Sequence, residues 1–334
     1  MMTAPGSIGV LVPTFNCAGL VANHMESLNS WIDLATEVVV VDSDSTDGTV
    51  EQLKKNLRHP NVRFLQHPRG LYQSWNFGIG KLTTEYAYIS TVGDSISREG
   101  LEHLREIATA HECDVVLSKP RFVDNEGHSQ GQTCWPIDDL RGHFPGQQPL
   151  VLEGLELSLL VLANCTAAIL GSSASNLYRT RCLQQRSFPT EYGTVGDGAW
   201  GLINAHDMRM GFTGEIFSTF RDHPKAYSRS DYFVDSLHNK LFNLACESFK
   251  CHVAQSSEMQ KRARMANADL IMQTLARHLA CQCRLGKCRD MKLPWILNPA
   301  AWVARLDRDR QARKLTRLKV AALKNIRAHK PGAS

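Results

Sequence analysis

The apolar positions of this chain follow two periods. Short runs at Ile8–Val12 (IGVLV), Val38–Val41 (VVVV), Val62–Leu65 and within Tyr86–Thr91 (YAYIST) are too brief for helices, and they predict buried strands. Between them the spacing lengthens: Leu20, Val21, Met25, Leu28, Trp31 and Ile32 recur as on one face of a helix, as do Val50, Leu53 and Leu57. The first 65 residues therefore predict β-α-β-α-β, a parallel sheet with right-handed crossovers. Gln66–Gly80 reads as a loop running into a helix, Leu101–Ala110 as a helix and Val115–Leu117 as a strand. Residues 124–149, rich in Gly, Pro, Gln and Asp, predict a long loop of the kind that forms lids or binding segments. From about Asp235 the pattern is helical throughout, so the chain predicts an α/β fold with a helical C-terminal extension.

The polar positions matter most where the strands end. The four valines break into Asp42-Ser43-Asp44-Ser45-Thr46-Asp47-Gly48-Thr49, whose carboxylates and hydroxyls can form a turn and cap a helix. A polar loop at the carboxyl end of a parallel strand is also where α/β sheets bind ligands, and the loop alone does not decide between the two roles. The first strand ends at Pro13-Thr14-Phe15-Asn16, where Pro13 fixes its own φ and removes a donor. The fourth ends at Val92-Gly93-Asp94-Ser95.

Composition narrows the class without naming it. A 43% hydrophobic and 21% charged chain is ordinary for a globular protein. The longest apolar stretch, Leu155–Leu170, is interrupted by Glu156 and Asn164 and falls short of the ~20 residues of a membrane span. Ten cysteines without regular spacing and no apparent export signal point to reduced thiols in a cytoplasmic protein. Cys281, Cys283 and Cys288 lack a clear fourth ligand and read as plain thiols rather than zinc ligands. The net charge of +5 is unevenly spread, with ten Lys or Arg against two Asp after residue 299. That tail carries Val303, Leu306, Leu315, Leu318, Ala322 and Ile326 at helical spacing, a basic amphipathic helix. Two readings stand: it lies on an anionic membrane surface, or it packs on the protein with a solvated basic face. No nucleic-acid partner is expected, since no aromatic-and-basic groove or motif accompanies the charge.

Four landmarks in order then resemble glycosyltransferase family 2: VLVPTFN, VVVVDSDSTDGT, PRGLYQSWNFGI and YAYISTVGDSIS, closely over about residues 8–100 and more thinly to about 230. The resemblance implies a GT-A fold, with a mostly parallel central sheet flanked by helices and a Rossmann-like nucleotide-binding half. It places the nucleotide-sugar half at about 1–120, the acceptor half at about 121–234 and the helical extension at 235–334. It also implies an inverting transfer from a nucleoside diphosphate sugar to a carbohydrate or lipid-linked acceptor, in polysaccharide or glycolipid synthesis. The expected location is cytoplasmic, peripheral at the inner membrane face through the basic tail.

Carried over residue by residue, the resemblance places Pro13, Thr14, Phe15, Asn16, Asp42, Ser43, Ser45, Arg69, Gly70 and Asn76 at the nucleotide-sugar. Asp42 can accept hydrogen bonds from a base N–H or a ribose hydroxyl, and helix capping is its alternative. Asp94 holds the second position of the family's Asp-x-Asp turn while Val92 occupies the first, leaving one carboxylate for Mn²⁺ or Mg²⁺. His223, in the segment Phe217–Ser230, is a further metal or diphosphate ligand on the same resemblance. Asp197, in Val195-Gly-Asp-Gly-Ala-Trp200, falls in the acidic turn that supplies the family's catalytic base, with Glu191 as its rival. Two other classes remain: a nucleotide-sugar-binding scaffold without turnover, suggested by the incomplete metal pair, and a nucleotidyltransferase, whose Gly-rich first turn Pro13–Asn16 does not resemble.

Overall fold

The structure, a computed structural model, describes residues 4–124, 126–130, 148–165, 169–170, 173–221, 235–290 and 299–328. The described residues within 1–152, 168–204 and 208–231 form one compact unit, and those within 153–167, 205–207 and 232–334 a second.

The first unit begins β1 (Ile8–Thr14), α1 (Ala18–Asn29), β2 (Ala35–Asp42), α2 (Thr49–Asn56), β3 (Val62–Gln66), α3 (Leu71–Ile79) and β4 (Tyr86–Ile89). The strand–helix alternation is the one the apolar periods predict. β1 pairs in parallel with β2, Val10 beside Val38 and Thr14 beside Asp42, and β2 pairs in parallel with β3. Because side chains alternate across a strand, both faces of the valine run are used. Val38 and Val40 join Val10, Val12, Val21, Met25 and Leu28 in one core cluster. Leu11 and Val41 point the other way, onto α3, where a Cβ added at Gly78 would come within 2.3 Å of Leu11 and 2.8 Å of Val41. Only a glycine lets α3 approach the sheet this closely. α1 is shorter than its apolar spacing suggests: it ends at Asn29, and Trp31 and Ile32 reach the core from a single 3₁₀ turn.

The chain continues through β5 (Ser95–Ile96), α4 (Arg98–Ala110), β6 (Val115–Leu117), β7 (Pro120–Val123) and β8 (Leu150–Glu153). After α5 (Gly154–Ala163) come β9 (Asn176–Arg179), α6 (Thr180–Gln185), α7 (Gly196–Asn204), β10 (Arg209–Phe212) and β11 (Ser218–Arg221). The main sheet runs β3-β2-β1-β4-β9-β6-β10-β8, with β9 inserted antiparallel to both β4 and β6. A small sheet, β5-β11-β7, holds the segment after β4.

The second unit gathers α5 with α8 (Asp235–Ala254), α9 (Ser257–Met265), α10 (Ala268–Asp290) and α11 (Pro299–Ala328). Leu155 to Ala163 are all buried, so α5 is a central helix, buried on every side, within this unit. Its buried Glu156 pairs with Arg327 of α11 at 3.3 Å, and Asn164 accepts from Lys319 at 3.0 Å. The tail helix corrects one expectation. Leu315, Ala322 and Ile326 are buried, yet Val303 and Leu306 are exposed by 59% and 65%. At about 100° per residue, nine positions carry Leu306 half-way round the axis from Leu315, so the six residues never formed one stripe.

Candidate active site

The carboxyl ends of β1, β2 and β4 and the start of α3 enclose a cleft of about 540 Å³. Pro13, Thr14, Phe15, Asn16, Ser43, Arg69 and Gly70 all line it. The Arg69 guanidinium lies over the Phe15 ring at 4.6 Å from its centroid, which puts a cation and an aromatic face side by side in the cleft. Ser43 Oγ shares a 2.6 Å hydrogen bond with Ser74 Oγ of α3.

Two strand-end loops are fastened to each other beneath this cleft. Asp42, 6% exposed, accepts at Oδ1 from the hydroxyls of Thr14 (2.9 Å) and Ser45 (2.6 Å), and at Oδ2 from the Ser45 N–H (2.8 Å). Asn16, with φ 46°, donates its N–H to Ser45 Oγ and accepts from the Thr46 N–H, both at 2.9 Å. Asp42 is absent from the lining of the cleft; it and Ser45 act here as the latch that shapes it. Asn76 is also elsewhere: its side-chain amide donates to the Phe188 carbonyl at 2.8 Å and accepts from the Phe188 N–H at 2.9 Å. The structure thus gives Asn76 the task of pinning the Phe188 segment to α3.

Asp94 sits behind Thr91 and Val92, which line the cleft, and borders a separate cavity of about 120 Å³ shared with His24 and Arg221. Its Oδ2 accepts from the Thr91 hydroxyl at 2.6 Å and its Oδ1 from the Arg221 N–H at 3.0 Å. His24 secures the same turn. Burial pushes its imidazole down to about 4, so it is neutral; Nδ1 donates to the Asp94 carbonyl at 3.1 Å, and Nε2 accepts from Ser90 Oγ at 3.2 Å. As a seat for a divalent cation this turn fits one hard oxygen ligand, because Val92 supplies none and each carboxylate oxygen has two lone pairs. The other proposed ligand, His223, lies outside the described residues. Among the described residues, Asp124, Glu126 and His128 bring one ligand atom each within 4.8 Å of one another, with Glu126 and His128 exposed.

Asp197 is a different kind of carboxylate. It stands in the first turn of α7, partly buried, and its Oδ1 accepts the Gly198 N–H at 2.7 Å. Burial pushes its carboxyl up to about 6, against the opposing pull of the Gly198 N–H and the Tyr72 hydroxyl. The preceding residue must be glycine, because a Cβ at Gly196 would meet the Tyr72 ring at 2.5 Å and the Pro189 carbonyl at 2.6 Å. Glu191, the rival, is exposed.

α3 joins the cleft to this carboxylate. Leu71, Ser74 and Trp75, at helical i, i+3, i+4 spacing, line the cleft. Tyr72 and Asn76, four apart on a neighbouring face, hold Asp197 and Phe188. The sequence reading quoted this stretch for Arg69, Gly70 and Asn76 and passed over Tyr72, Ser74 and Trp75. Their spacing on a helix starting at Gly70 was the available signal.

Comparison with known proteins agrees with this geometry. Residues 9–150 match the model of glycosyl transferase family 2. The chain is 28% identical over 143 residues to the uncharacterized glycosyltransferase YibD of Escherichia coli K12, covering 42% of this chain and 41% of that protein. It is 28% identical over 126 residues to the poly(ribitol-phosphate) beta-N-acetylglucosaminyltransferase TarS of Staphylococcus aureus, 36% of this chain and 22% of that protein. The matched part is thus less than half the length of either relative. The crystal structure of S. aureus TarS 1-349 in complex with UDP-GlcNAc shares the fold with a TM-score of 0.59 at 18% identity, covering 96% of this chain and 89% of that one. The fold is therefore of the GT-A type, and the segment 9–150 is similar to glycosyl transferase family 2.

Proposed function

We propose that this chain is an inverting glycosyltransferase that moves a sugar from a nucleoside diphosphate sugar to an acceptor hydroxyl. The observation that carries the reading is the arrangement on α3, whose first turn lines the cleft on one face and touches, through Tyr72, a carboxylate raised to about 6 on the next. The nucleotide occupies the cleft among Pro13, Thr14, Phe15 and Asn16, with Ser43 and Arg69 beside it. Asp197 takes the proton of the acceptor hydroxyl as its oxygen forms a bond to the anomeric carbon. The bond from that carbon to the diphosphate oxygen breaks on the opposite face, and the electron pair leaves with the nucleoside diphosphate. A carboxyl near 6 is mostly ionised at neutral pH yet basic enough to accept that proton. Arg69 offsets charge on the departing diphosphate. Asp94 would hold a divalent cation, Mn²⁺ or Mg²⁺, which when bound neutralises the same charge.

The exposed face of α11 supports a peripheral site at an anionic membrane, where a lipid-linked acceptor is found. Val303, Leu306, Arg310, Arg313, Arg317 and Lys324 are exposed at spacings of three, four or seven along this helix. No helix among the described residues is long and apolar enough to cross a membrane. Flotation with phosphatidylglycerol vesicles at low and high salt tests this part, and salt-insensitive absence of binding would remove it.

A panel of nucleotide-sugars screened by thermal shift tests the donor, since a ligand at 100 times its dissociation constant stabilises by ~2.7 kcal/mol. Donor hydrolysis with and without Mn²⁺ then separates an enzyme from a binding scaffold. Donor binding with no turnover toward water or any acceptor would favour the scaffold.

A further inference from the structure

We propose that Tyr72 is a positioning residue for the carboxylate of Asp197, its hydroxyl turning between that carboxylate and the carbonyl of Thr194 as the proton arrives and leaves. This inference rests on the reading of Asp197 as the base and adds a residue to it. Tyr72 is 3% exposed and its ring is fixed on two sides, at 5.2 Å from Trp75 and 5.5 Å from Phe188 by ring centroids. The ring cannot wander, and Gly196 is the residue that lets it press against the start of α7.

What remains free to turn is one O–H bond. In this structure the hydroxyl donates to the Thr194 carbonyl at 3.1 Å, and Asp197 is its other polar neighbour. A phenol carries a single proton, so it serves one acceptor at a time. While Asp197 is ionised, the stronger acceptor is the carboxylate, and the hydroxyl turned that way points one of its oxygens at the acceptor site. Once Asp197 has taken the acceptor's proton it becomes a donor. The Tyr72 proton then returns to Thr194, and the phenol oxygen accepts from the new carboxylic O–H. The Asp197 carboxyl thus keeps the phenol as a partner at both stages. Tyr72 does not exchange its own proton with the substrate, because burial and the charge of Asp197 keep the phenol well above its usual range.

Among the described residues, two tyrosines face Asp197. Tyr72 comes from α3 and Tyr178 from β9, the latter buried and also held neutral by desolvation. Backbone N–H groups of Gly198 and of Asp197 itself are further donors. Removing the Tyr72 hydroxyl therefore removes the one side-chain donor among the described residues that favours the ionised form of Asp197.

The test is Tyr72→Phe, which keeps the ring and its packing. The titration of Asp197 is followed by carboxyl ¹³C NMR, assigned by its loss in Asp197→Asn, alongside the pH profile of kcat/KM. The midpoint of Asp197 is expected to rise by about one pH unit, and transfer on the acidic limb to fall about tenfold. A midpoint that stays in place or falls, in a variant with unchanged near-UV circular dichroism, overturns the inference. A midpoint that rises while the acidic limb of the rate profile stays put would uphold the hydrogen bond and overturn the base assignment instead.

Discussion

The carboxylates around the cleft at the strand ends and the carboxylate at the head of α7 sit in one unit under opposite regimes. Asp42 accepts three hydrogen bonds, two from hydroxyls and one from an N–H. Asp47 accepts from the N–H groups of Ala18 and Thr49 and from the Thr49 hydroxyl, and its carboxyl is held below the usual range by that set against the opposing effect of desolvation. Asp94 has a hydroxyl and an N–H on its two oxygens. Asp197 accepts one close hydrogen bond, from the Gly198 N–H, with the Tyr72 hydroxyl and its own N–H as weaker donors, and burial lifts it to about 6 against all three. A carboxylate saturated with donors is fixed in place and shapes loops. One that is desolvated and sparsely bonded can carry a proton near neutral pH. Three landmark aspartates that look alike in the sequence thus divide into a loop latch, a candidate cation ligand and a candidate base.

The largest expected effect lies on the sparse side. Asp197→Asn keeps the shape and most hydrogen bonding but removes basicity, and transfer should fall by ~10²–10⁴-fold with donor affinity unchanged. Full transfer activity in this variant would erase the contrast and direct attention to Glu191→Gln. On the saturated side, Asp42→Ala orphans two hydroxyls and an N–H. It should cost roughly 3–5 kcal/mol of stability and loosen the cleft, read by chemical denaturation and donor calorimetry. If Asp42→Ala lost donor affinity at unchanged stability, Asp42 would be a direct nucleotide contact and not a latch.

How far the sequence reached follows the same division. The valine run, the strand-end loops and the helix periods specify the parallel half, because strands buried on both faces leave uninterrupted apolar runs. β9 was not legible: Asn176–Arg179 is a short segment of mixed polarity whose partners, β4 and β6, lie far away in sequence. Asn76 was placed at the nucleotide by its neighbourhood in sequence. A helix turns about 100° per residue, and one position beyond Trp75 is already on another face. The orientation of Asp94, turned under Thr91 and Val92, depends on the Arg221 N–H from a strand 127 residues away, which no local pattern contains. The pairing of Tyr72 with Asp197 likewise joins distant segments, and only the glycine at 196 hinted at a close approach.

Smaller effects sharpen the contrast further. Asp94→Ala should lower Mn²⁺-dependent affinity for the nucleoside diphosphate roughly tenfold, about 1.4 kcal/mol, in calorimetry. Equal affinity with and without the side chain would take the cation away from this turn. Asp197→Asn should also be more stable than the parent at neutral pH. The folded carboxyl titrates near 6 and the unfolded one near 3.8, so the native chain holds the extra proton between them and loses stability as pH rises through that window. The substitution should therefore gain about 1–3 kcal/mol at pH 7 and close to nothing at pH 4, by urea unfolding at both. A gain that is the same at both pH values would show that the carboxyl is not desolvated.

The pH dependence of transfer under saturating donor tests the central claim most directly. If Asp197 removes the acceptor proton, the rate rises with pH through a single ionisation near 6, and the residual rate of Asp197→Asn lacks that step. A parent profile that is flat from pH 5 to 8, or a step near 6 that survives in Asp197→Asn, would contradict it.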